Sequence, residues 1–88
     1  MKIYCFSGLG ADKRVFSFLK LNPSYELVSV DWIKPLENEV LEVYSVRISE
    51  TIQTKHAFGI LGVSFGGVVA QEVSKIIKPK FTFLISSI

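Results

Sequence analysis

Cysteine occurs once in the 88 residues, as Cys5 inside an apolar run. One thiol makes an internal disulfide impossible and removes any zinc site built from cysteines, so a buried thiol is the expected state. Histidine also occurs once, as His56, and the three prolines stand where elements are expected to stop. Neither sign of charge dominates: ten Lys and Arg against eight Asp and Glu leave +2, too small and scattered to favour nucleic acid or an acidic membrane surface. Lys75, Lys78 and Lys80 gather near one predicted helix end, where cations suit the dipole. No apolar stretch approaches the ~20 residues that cross a bilayer. The first apolar run, residues 3–6, breaks at Ser7-Gly8 and is too short for a secretory signal. The expectation is a soluble, cytoplasmic chain with no nucleic acid, membrane, metal or organic cofactor.

What remains is apolar. Hydrophobic residues make up 49% and charged ones 20%, which excludes disorder and implies that nearly every element is covered on at least one face. Residues 1–88 are short enough for one domain only.

In chain order, residues 2–6 form a continuous apolar run bounded by Ser7-Gly8-Leu9-Gly10, which reads as a buried parallel strand. Asp12 offers a helix N-cap, after which Val15, Phe16, Phe18 and Leu19 give a helical stripe closed by Asn22-Pro23. Residues 26–31 are a second strand, and Trp32-Ile33-Lys34-Pro35 is the loop leaving it. Asn38 can cap a longer helix in which Leu41, Tyr44, Ile48 and Ile52 recur at helical spacing, with Glu39, Glu42, Arg47 and Glu50 on the wet side. Residues 57–61 are the third strand, residues 68–77 a helix ended by Lys78-Pro79, and residues 81–85 a fourth strand.

Strands alternating with helices imply a three-layer α/β fold: a four-stranded parallel sheet with one helix on one face and two on the other. Strand order 2-1-3-4 is expected, because a topological switch between strands 1 and 3 brings the two glycine turns together at their carboxyl ends. Core positions should include Ile3, Cys5, Val28, Val30, Ile60, Leu61, Val63, Val69, Phe83 and Ile85.

The chain is organised around Gly62-Val63-Ser64-Phe65-Gly66-Gly67, a G-x-S-x-G turn between a strand and a helix. In a nucleophile elbow the serine sits at the tip of a sharp turn that lifts its hydroxyl clear of the sheet. Gly62 and Gly66 lack the Cβ atoms that would clash as such a turn presses against neighbouring strands, and Gly67 lets the first helical turn approach the sheet. The helix N-terminus then points free N–H groups at the space beside Ser64. A plain strand-to-helix turn with an exposed serine is the structural alternative. Phe65 could line a pocket, although a phenylalanine in this place more often packs.

The turn Phe6-Ser7-Gly8-Leu9-Gly10-Ala11-Asp12, taken with the turn around Ser64, resembles the α/β-hydrolase superfamily, in particular its small esterase-like members. The resemblance implies Ser64 as nucleophile, with the backbone N–H groups of Phe65 and Leu9 holding the oxyanion; Gly8 and Gly10 are alternatives to Leu9. Ser7 stands where the family usually carries a histidine. The resemblance spans essentially the whole chain yet covers only the first half of a family catalytic domain. The triad acid and histidine would follow Ser64 in chain order, whereas after Ser64 these residues hold Glu72 as their only acid and no histidine. It therefore implies the N-terminal part of a serine hydrolase acting on a small carboxylic ester or related acyl compound through an acyl-enzyme on Ser64, inactive as an isolated chain.

His56 cannot complete a triad: about eight residues of extended chain at ~3.3 Å each place it roughly 25 Å from Ser64, whereas a base must come within about 3 Å. Asp31, at the carboxyl end of the second strand, is better suited to capping the N–H groups of Trp32 or Ile33. Two other readings compete. Gly8-Leu9-Gly10 with Asp31 about twenty residues on has the spacing of a Rossmann-like nucleotide-binding module, but Lys13 stands where the third glycine belongs. Alternatively, the apolar strand Phe81–Ile85, uncovered at a sheet edge, makes the chain a non-catalytic, homo-oligomerising piece.

Overall fold

The computed structural model describes residues 1–7, 24–63 and 65–85, excluding the Ser7 side chain. The helix expected from Asp12 to Asn22 lies outside these residues. Four strands and two helices are described: β1 (Lys2–Ser7), β2 (Glu26–Ser29), α1 (Leu41–Ser49), β3 (Phe58–Val63), α2 (Gly66–Ile77) and β4 (Phe81–Ile85). The fold is α/β, built on an all-parallel four-stranded sheet in the expected order β2-β1-β3-β4.

β3 is buried along its whole length, which explains its nearly unbroken apolar run, and it pairs with β1 over six residues, from Lys2 opposite Phe58 to Ser7 opposite Val63. Strand pleating divides the side chains between two clusters. Tyr4, Phe6, Phe58 and Ile60 face α1 and α2, and pack with Ile48, Ile52, Val69, Ala70 and Val73. Ile3, Cys5, Leu61 and Val63 form the opposite cluster, against which Tyr25, Leu27, Phe81 and Ile85 pack. Both described helices thus lie on one face, packed on each other.

Several expectations need correction. Phe83 is 53% exposed rather than core, because β4 is the outer strand among the described residues and Phe83 is flanked in register on one side only, by Leu61 of β3. Val28, on the outer strand β2, and Val30, just beyond its end, are half-buried. β2 stops at Ser29 rather than Asp31. Asn38 is not the cap of α1: it occupies a left-handed turn at φ 59°, a conformation asparagine tolerates, and the cap position falls on Val40. Ile52 lies beyond the end of α1 yet is buried. Glu39 is not on the wet side, for its side chain is only 2% exposed. α2 begins two residues earlier than expected and ends with Lys78 in the left-handed region before Pro79. No helix among the described residues is long and apolar enough to cross a membrane.

Candidate active site

Ser64 and Leu9 lie outside the described residues, whereas the backbone on either side of Ser64 is described. β3 ends at Val63 and α2 begins at Gly66, so two residues carry the chain from sheet to helix. Phe65 is the N-cap residue with helical dihedral angles, φ −57° and ψ −32°, and its carbonyl accepts from Val68 N–H at 3.0 Å. The first N–H groups of a helix have no partner within it, so this end of α2 presents donors at the carboxyl edge of the sheet.

Gly62 makes the abrupt turn possible. A Cβ built there would lie 2.6 Å from Gly67 Cα and 2.8 Å from Ala70 Cβ. The space it leaves is therefore filled by the following helix rather than by neighbouring strands. Gly66 and Gly67 are both buried.

The loop after β2 runs beside this turn and is held by α1. Tyr44 Oη donates to Ile33 O at 2.9 Å and accepts from Ile33 N–H at 3.2 Å. Tyrosine thus serves Ile33, the task expected of Asp31. Arg47 donates to both carboxylate oxygens of Glu39, at 2.7 and 2.9 Å, and reaches Lys34 O at 3.4 Å. Leu36 N–H also donates to Glu39 at 2.9 Å. That backbone donor first, and the guanidinium after it, hold the Glu39 carboxyl below the usual glutamate range.

Between this loop, α1 and the start of α2 lies an open cleft of about 520 Å³, lined by Trp32, Pro35, Leu41, Tyr44, Phe65 and Val69 among others. Trp32 lies near-parallel to Tyr44, with ring centres 6.5 Å apart, and meets Phe65 at 6.3 Å. Phe65 is 62% exposed, so it lines the cleft instead of packing. Trp32, Tyr44 and the Glu39–Arg47 pair went unremarked as site residues in the sequence. The available signal was position: Trp32 follows β2 at the carboxyl edge, where ligand clefts of open parallel sheets form.

His56 is exposed and lines a different cleft, with Met1, Lys2 and Glu26, at the amino edge. β3 alone separates the two edges by about 16 Å at ~3.3 Å per residue. Cys5 is buried, which pushes its thiol pKa up. Among the described residues no group of three or more His, Cys, Asp and Glu could hold a metal ion. No family model matches the chain, and neither a curated protein nor a solved structure matches it.

Proposed function

We propose that Ser64 is the nucleophile of a serine hydrolase acting on a carboxylic ester or related acyl compound, and that this chain carries the nucleophile end of its catalytic domain. The observation that supports this most is the two-residue passage from β3 to α2, closed by the packing of Gly62 on Gly67 and Ala70. Such a passage suits a serine held at the tip of a turn and a helix N-terminus aimed at an oxyanion. The pairing of β1 beside β3 supports a second donor from the turn after β1, with Leu9 as the proposed residue.

In the proposed reaction Ser64 Oγ attacks the acyl carbon and its proton passes to a general base. The Phe65 and Leu9 N–H groups stabilise the oxyanion until the alcohol departs with a proton. Water then releases the acid from the acyl-enzyme. The base and its orienting acid come from residues other than these 88, because His56 sits at the wrong edge. The proposed compartment is the cytoplasm.

A fluorophosphonate probe, which reacts with activated serines, tests this on the gene product isolated from its own cells. The expected result is a covalent adduct on Ser64, lost in Ser64→Ala together with roughly 10⁴-fold or more of any ester hydrolysis. Unchanged hydrolysis in that variant would overturn the proposal.

A further inference from the structure

We infer that the cleft bounded by Trp32, Tyr44 and Phe65 is the subsite for an uncharged, aryl-bearing acyl group, an inference that rests on the proposed role of Ser64. Phe65 directly follows Ser64 in the chain, so a wall of the cleft starts at the reacting residue. Its volume, about 520 Å³, lies within the roughly 300–1,000 Å³ usual for small-molecule sites.

The walls decide the chemistry. Trp32 and Phe65 are 38% and 62% exposed, and their rings meet at 49°, which offers ring faces and edges to an entering aromatic group. Leu41 and Val69 add aliphatic surface. Among the described residues, the Tyr44 and Glu39 side chains that line the cleft are already satisfied: Tyr44 Oη is bound twice to Ile33, and the Glu39 carboxylate is held by Arg47 and Leu36 N–H. A charged acyl group would lose water there without gaining a side-chain partner, whereas a neutral ring loses little.

Trp32 is the only tryptophan of the chain, so its emission reports the cleft directly. Methyl 3-phenylpropanoate, titrated into the full chain, should change that emission saturably with half-saturation at about 1 mM or tighter. The anion methyl 3-(4-carboxylatophenyl)propanoate, whose charge sits on the ring that enters the cleft, should bind about tenfold or more weakly, a comparison that needs no variant. Leu41→Glu, which places a charge in the cleft but suits the first turn of a helix, should weaken ester binding about tenfold or more. Val46→Glu, on the exposed side of α1, should leave it unchanged.

No saturable response to the ester, equal affinity for the anion, or indifference to Leu41→Glu in a folded protein would each overturn the subsite. Fluorophosphonate labelling separates it from the catalytic reading. A labelled Ser64 with no ester binding overturns the subsite alone, and ester binding with Ser64 unlabelled overturns its acyl role.

Discussion

Gly62 shows how one missing methyl group determines the local chain path. With α2 packed 2.6 Å from where its Cβ would be, Gly62→Ala must push the helix off the sheet. A loss of about 2 kcal/mol is expected in urea denaturation, the ordinary cost of overpacking where backbone has to move. Ser45 offers the opposite case. Its hydroxyl is fully buried and has no hydrogen-bond partner among the described residues. Ser45→Ala should therefore raise stability by about 1 kcal/mol, since an unmade buried hydrogen bond costs about that much or more. Glu39 contributes a pH dependence of defined sign. A carboxyl whose folded pKa is lowered stabilises the fold above its unfolded pKa, about 4.3, and that contribution fades as pH falls through the lower folded value. The stability difference between the protein and Glu39→Gln should thus be full above about pH 5 and shrink below pH 4. A difference independent of pH would contradict this account.

At the scale of elements, most of the sheet was legible in the sequence and its edges were less so. Residues 3–6 and the third strand are apolar because both their faces are buried, and that pattern gives parallel strands directly. Phe83 misled because hydrophobicity cannot distinguish a central strand from an edge one: the residue faces a core, but no further strand flanks it. The loop from 32 to 40 misled for a different reason. Its conformation is fixed by Tyr44 and Arg47 from α1, contacts that no local pattern encodes. The Gly59–Phe81 pair was likewise invisible. Phe81 lies directly opposite Gly59 in register and its ring fills the space of the missing side chain, flanked by Tyr25 and Phe83. Thr82, on the other face of β4, bonds Ser74 of α2 at 2.7 Å. β4 is thus well anchored yet leaves Phe83 and Leu84 exposed at the edge. For these 88 residues on their own, self-association at tens of micromolar is the expected outcome by sedimentation, and Phe83→Lys should suppress it, as charged residues do on edge strands.

For the whole molecule, the topology gathers its chemistry at one edge of the sheet. The order β2-β1-β3-β4 places the ends of β1 and β3 side by side, the loop after β2 closes an aromatic cleft beside them, and α2 starts within two residues of β3. The glycine-serine-glycine spacing was readable from residues alone, and Gly62 answers a steric demand, since a Cβ there would meet Gly67 and Ala70. The cleft was not, because its rings come from separated segments and meet only after folding. His56 stands at the far edge, so the account requires a base from elsewhere. Fluorophosphonate labelling of the native gene product, followed by peptide mass mapping and the intact mass of the labelled species, tests that claim most directly. The account predicts a single adduct on Ser64, carried by a species heavier than the 9.9 kDa of these residues. An unlabelled Ser64 in a folded protein that hydrolyses esters would contradict it.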